Sequence, residues 1–317
     1  MRRFLVQRLT ALLPTLLGIA TIVFLVIRLI PGDTITAMIG TQFQLTEAQA
    51  ESLRAYYGLD KPLIQQYFSW LWAALQGNLG VSVRSGQPVL GEILRSFPIT
   101  LELTIFSLII ALVLGIPIGV LSAVKQNTAV DLAGRFVALL GLALPNFWLG
   151  TLLILVLSVA FGVLPNSGDY VSITADPLRN LSQFIFPAIT LGFGFTSSVM
   201  RTTRSAMLEV LRQDYVRTAR GKGVREREVI TIHSLRNALI PIITIVGVEF
   251  GYLLGGAVIV ENVFSLPGIG RLILNGIYQR DYAVVQGGIL FVAVNFVLIN
   301  LTVDIIYAFT DPRIRYE

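Results

Sequence analysis

RTTRSAMLEVLRQDYVRTARGKGVREREVITIHSLRNALIP, residues 201–241, is a polar, arginine-rich island between two long apolar runs. It holds nine of the chain's 24 Lys and Arg: Arg201, Arg204, Arg212, Arg217, Arg220, Lys222, Arg225, Arg227 and Arg236. Loops on the cytoplasmic side of a membrane carry the excess of Lys and Arg near span ends, so the island reads as a cytoplasmic loop. Within it Met207, Leu208, Leu211, Tyr215 and Ala219 recur at helical intervals, Gly221 and Gly223 interrupt, and Val224, Val229, Ile232 and Leu235 resume. Two short helices hinged on glycine form a compact knob at the membrane surface. Such a knob transmits motion only if a partner grips it.

Outward from the island the chain is apolar. Hydrophobic residues make up 54% and charged residues 14%, against about 25% charged in a soluble domain. A hydrocarbon layer of about 30 Å takes about 20 residues to cross. Six stretches qualify: 9–30, 99–124, 136–161, 184–200, 238–260 and 284–309, the fourth short and glycine-rich. The expected fold class is therefore all-α, a polytopic membrane protein with six transmembrane helices. With the N-terminus inside, sixteen of the 24 basic residues fall in cytoplasmic segments (Arg2, Arg3, Arg8, Lys125, Arg135, the nine above, Arg313 and Arg315). Both termini are thus expected in the cytoplasm. The net charge of +5 follows from that topology, and basic residues spread over four loops make no nucleic-acid footprint.

Residues 1–30 start basic, but their apolar run exceeds the roughly 7–15 residues of a signal core and no small-x-small site closes it. They read as a retained first helix. There is no cysteine and one histidine, His233, so neither a disulfide framework nor a His/Cys metal site is expected.

Residues 31–98 form the one large extracytoplasmic segment. Thr46 with Gln49 resembles a capping box for a helix running to Tyr57 and stopping at Gly58. Asp60 is a candidate cap for a second helix, with Pro62 in its first turn and Gly77 at its end; a short helix near 90–97 follows Gly86-Gln87-Pro88. The segment is either a lid over the spans or a landing surface for an external partner. After it come the five-helix core, 99–310, with its cytoplasmic loop 201–237, and a cytoplasmic tail, 311–317.

The island resembles the cytoplasmic coupling loop of ABC importer permeases, in the form found in the dipeptide/oligopeptide/nickel permease family. The matching residues are Asp214 to Arg220 (DYVRTAR), Lys222-Gly223, and His233 to Ala238 (HSLRNA). Against the general loop pattern, Glu-Ala-Ala falls on Arg217, Thr218 and Ala219, and the obligatory glycine on Gly223. Gly221 departs from an alanine expected in this branch. The likeness continues in MRRFLVQRLTALLPTLLGIATIVFLVIRLIPGDT, GLDKPLIQQYFSWL, GNLGVSV, LALPNFWLG, ENVFSLPGIGRLILNGIYQRDYAVVQG and YAFTDPRIRY, in order along nearly the whole chain.

The resemblance implies a type I importer permease fold and a half-transporter in a bacterial or archaeal cytoplasmic membrane. Its implied partners are a second paralogous permease, two ABC ATPase subunits and an extracytoplasmic substrate-binding protein. The coupling residues it implies are Asp214, Tyr215, Arg217, Thr218, Ala219, Gly221, Gly223, Arg225 and His233. Relatives of this kind carry dipeptides, longer peptides, glutathione, nickel chelates or oligosaccharides. The chain itself lacks a G-x-x-x-x-G-K-[ST] phosphate loop, so no cofactor is expected in it, with ATP and Mg in the partner ATPases.

Acidic residues inside spans are costly, about 2.5–3.5 kcal/mol at the helix centre on insertion scales, and mark pathways by default. Glu249 in the fifth span is the first candidate, with an interhelical hydrogen bond as the alternative. Gly251, Gly255 and Gly256 after it suit close helix approach. Asn300 and Asp304, with Asn295 nearby, are the others, Asp304 also being placed to pair with a basic residue at the cytoplasmic end. His233 reads as a docking contact or solvated residue rather than a proton relay. An ion-gradient-driven secondary transporter is the alternative function. An intramembrane hydrolase would need a nucleophile and base at membrane depth, which one loop histidine does not supply.

Overall fold

The computed structural model describes residues 2–29, 47–56, 58–165 and 169–310. They form helices α1 Arg2–Leu29, α2 Glu47–Tyr56, α3 Leu63–Leu75, α4 Val89–Val124, α5 Ala129–Ala143, α6 Asn146–Phe161 and α7 Pro177–Val210. There follow α8 Asp214–Gly221, the single turn α9 Glu226–Glu228, a π-helical segment Val229–Leu235, α10 Arg236–Val263, α11 Ile269–Tyr278 and α12 Tyr282–Thr310. Five of these are long and apolar enough to cross a membrane, and a sixth crossing results if the bent pair α5–α6 counts as one.

Several boundaries differ from the sequence expectation. The third span is not a straight helix: α5 and α6 meet at 104°. Pro145 forces the residue before it out of the helical region, and Leu144 accordingly sits at φ −83°, ψ 123°. The short helix near 90–97 and the span from 99 are one element: α4 runs through Pro98 for 36 residues. Proline removes one bond from the ladder, and the fully buried Val89 and Ile93 anchor the turns before it. Asp60 does not cap α3: the N-cap residue is Pro62, with no side-chain cap. Thr46 of the expected capping box lies outside the described residues.

The fourth span, read as short, is 34 residues long in α7 and the most buried of the candidate spans. Its Thr190, Thr196 and Ser197 hydroxyls return to carbonyls of their own helix at 2.8–3.1 Å.

The chain divides into two compact units, Met1–Ile99 with Pro267–Leu298, and Thr100–Leu266 with Ile299–Glu317. Residues 267–298 close the hydrophobic core of the N-terminal unit. There Leu79, Val89 and Ile93 pack with Ile269 and Val284, and Val23 and Ile27 with Val285. Asp281 ties the unit by accepting from Ser82 Oγ at 2.6 Å and capping α12 through the Val284 N–H at 3.3 Å.

In the second unit α7 is the hub, approached closely where its neighbours have no side chain. A methyl at Gly119 of α4 would lie 2.7 Å from the Met200 carbonyl oxygen, and one at Gly192 of α7 would lie 2.9 Å from the Ser107 carbonyl oxygen. In α10, by contrast, Gly255 faces open space. A close approach in this helix is made at Gly247, against Val303.

Candidate functional site

The loop after α7 is built around a small apolar centre. Val216, Ala219 and Val229 are buried, with Val210, Leu211 and Val224 packed about them. That burial fixes which face of the eight-residue α8 turns outward: Asp214, Tyr215, Arg217, Thr218 and Arg220 are exposed, as are Gly221, Gly223 and Arg225. Ala219 belongs to the inside of the knob, and His233 is half-buried. Of the two glycines expected to hinge the loop, only Gly223 is in the left-handed region, at φ +77°. Gly221 ends α8 with helical geometry, so the expected double hinge is single.

Across that turn Arg220 holds Glu226 in a fork, Nη2 to Oε1 at 2.7 Å and Nε to Oε2 at 3.1 Å. Tyr215 Oη accepts from Asn237 Nδ2 at 2.8 Å, and the same amide donates to the His233 carbonyl at 3.1 Å. These bonds fasten α8 to the first turn of α10. Between them lies the π-segment, where the Ser234 hydroxyl reaches the Val229 carbonyl five residues back at 2.9 Å.

Behind the knob sits a buried ion pair that sequence reading did not single out. Asp131, fully buried in the first turn of α5, accepts from Arg204 Nε at 2.7 Å and Nη2 at 2.9 Å. It also accepts from Ser122 Oγ at 2.5 Å and from the Asn127 N–H at 2.9 Å. One carboxylate thus joins the end of α4, the start of α5 and the last turns of α7. The sequence signal was Thr128-x-x-Asp131, a capping-box spacing.

Within the spans Glu249 is half-buried and lines a cavity at the α5–α6 break together with Asn146, Ser198 and Tyr252. Asn295 spends its amide on its own helix, Nδ2 to the Phe291 carbonyl at 2.8 Å. Asn300 is half-buried, and the side chain of Asp304 lies outside the described residues. A further acidic residue, Glu261, is fully buried and accepts from Thr100 Oγ1 at 2.5 Å. Outside the spans, the Tyr170 hydroxyl donates to Glu102 Oε2 at 3.0 Å, and burial together with that carboxylate pushes the phenol up to about 12.

Residues 115–316 match the family of binding-protein-dependent transport system inner membrane components, and residues 1–104 match the N-terminal region of such components. The chain belongs to this permease family. The permease is 40% identical to the dipeptide transport system permease protein of Escherichia coli (strain K12), over the full length of both chains. It is 42% identical to the di/tripeptide permease of Pseudomonas aeruginosa and 43% identical to the glutathione permease of Pectobacterium atrosepticum, again over all of each chain.

Membership makes the permease an inner membrane transport subunit rather than an enzyme, and sets aside the secondary transporter. It implies a substrate-binding protein, ATPase subunits and a paralogous permease as partners.

Proposed function

We propose that this permease forms half of the translocation pathway of a bacterial importer for di- or oligopeptides, glutathione included. Two ATPase subunits and one paralogous permease complete the membrane complex, and an extracytoplasmic binding protein delivers cargo. ATP and Mg are handled by the ATPases. Full-length identity of 40–43% to dipeptide and glutathione permeases carries this reading.

The outer face of α8, with Arg225 beyond its end, is the surface the ATPase grips: Asp214, Arg217, Thr218 and Arg225 present polar groups, while the Val216–Ala219–Val229 centre keeps the knob rigid enough to be pushed. Tyr215, Asn237 and the π-segment pass that push to α10, and Arg204 of α7 passes it through Asp131 to α4 and α5.

Affinity purification of the tagged permease from membranes in mild detergent tests the assembly. A second membrane chain and ATPases bearing phosphate loops are expected to co-purify, and the complex in liposomes should accumulate Ala-Phe or glutathione only with ATP and the binding protein. Recovery of the chain alone, or uptake that survives inactivation of the ATPases, would reject the proposal.

A further inference from the structure

The cavity at the α5–α6 break has a composition of its own. It encloses about 350 Å³, within the range of small-ligand pockets, about 300–1,000 Å³. Leu144 and Pro145 make it by being extended, which leaves two helix ends facing each other in the middle of a span. Gly141 is among the lining residues, and Pro145 has no N–H to return to its carbonyl, so that oxygen lacks its helical partner.

Four polar side chains share the wall: Glu249, Asn146, Ser198 and Tyr252. Among the described residues none of them makes a hydrogen bond or ion pair, and no Lys, Arg or His lines the cavity. Ser198 is buried at 7% exposure, whereas Tyr252 is 68% exposed. Glu249 stands thirteen residues beyond the start of α10, about 20 Å along the helix axis. A carboxylate at that depth cannot face lipid cheaply and needs a water-filled path or a counter-charge.

We infer that this cavity is a cargo subsite for a primary ammonium, the N-terminal amine of a peptide, with Glu249 as its counter-charge. An ammonium brings three donors and no acceptor. The wall offers matching acceptors in the Glu249 carboxylate, the Gly141 carbonyl and the Asn146 side-chain oxygen. The Ser198 and Tyr252 hydroxyls are left to serve the peptide group that follows. This assignment rests on the peptide-import reading and names the part of the cargo that this permease grips.

The test uses the assembled transporter in liposomes with its binding protein, and radiolabelled Ala-Phe and glutathione, each of which has a free ammonium. Glu249→Gln is expected to cut uptake of both by roughly tenfold or more, the effect of losing a charge-assisted hydrogen bond. Binding-protein-stimulated ATP hydrolysis should stay within about twofold of the unmodified complex, since the gripping of the loop is untouched. The natural absence of cysteine gives a second readout. In a Leu142→Cys permease, whose new thiol lines the same wall, Ala-Phe during turnover should slow alkylation, and Glu249→Gln should abolish that protection.

Full uptake by Glu249→Gln overturns the subsite while leaving the importer standing. Failure of Glu249→Gln to assemble also overturns it, assigning the carboxylate to a contact with the partner permease. If the unmodified complex moves neither probe, the import reading falls, and this assignment with it.

Discussion

Two glycines two residues apart make the sharpest residue-scale contrast in the molecule. Gly223 is left-handed at φ +77°, whereas Gly221 is helical with open space where a side chain would go. Holding an L residue in the left-handed region costs about 1–2 kcal/mol. Gly223→Ala is therefore expected to loosen the turn and raise the ATP hydrolysed per peptide moved, while Gly221→Ala leaves that ratio unchanged or improved; parallel uptake and hydrolysis assays read it. Asp131 is a second residue on which much depends. Removing one partner of a buried ion pair costs about 3–5 kcal/mol, so Asp131→Ala should lower the thermal unfolding midpoint in detergent sharply. Glu226→Ala breaks an exposed fork and should barely move it, because exposed pairs are worth about 0–1 kcal/mol. The helical layout of the loop was legible because its apolar spacing is local in sequence. The Asp131–Arg204 and Thr100–Glu261 pairs were not, since their members lie 73 and 161 residues apart and nothing local marks them as neighbours.

At the scale of elements, α7 shows why hydropathy misjudged a span. Small residues and hydroxyls that close on their own helix lower the average without lowering the fit, and the helix is held by close approach instead. Gly119→Leu should therefore abolish assembly by driving a side chain into the Met200 backbone, whereas Gly255→Leu should not; recovery of the complex from membranes separates the two. Prolines in spans often mark bends beside cavities, and Pro145 does so, whereas Pro14, Pro187 and Pro241 lie inside continuous helices. The difference is tertiary: the Leu144–Pro145 pair sits where α5 and α6 pack separately on α7, through Gly141 against Ser197 and Gly150 against Thr190.

For the whole molecule, six apolar runs and an arginine-rich loop were enough for the class, but not for the way the chain folds back. The N-terminal unit is completed by 267–298, so Leu79, Val89 and Ile93 find Ile269 and Val284 only after most of the chain has been made. A fragment of residues 1–104 is accordingly expected to be cleaved rapidly by protease when expressed alone, and to be protected when residues 105–317 are supplied as a second fragment. Protection of the first fragment by itself would contradict this division.

The π-segment has a consequence of a different kind. A π-turn is an α-turn that has absorbed one residue, and one residue is about 100° of rotation around a helix. The Ser234–Val229 bond, reaching back five residues, keeps that extra residue in place. Removing the exposed Ile232 would restore a plain helix and swing α8 about a quarter-turn around the axis of α10. The orientation in which this chain meets its motor is thus a matter of phase, set by the insertion of a single amino acid.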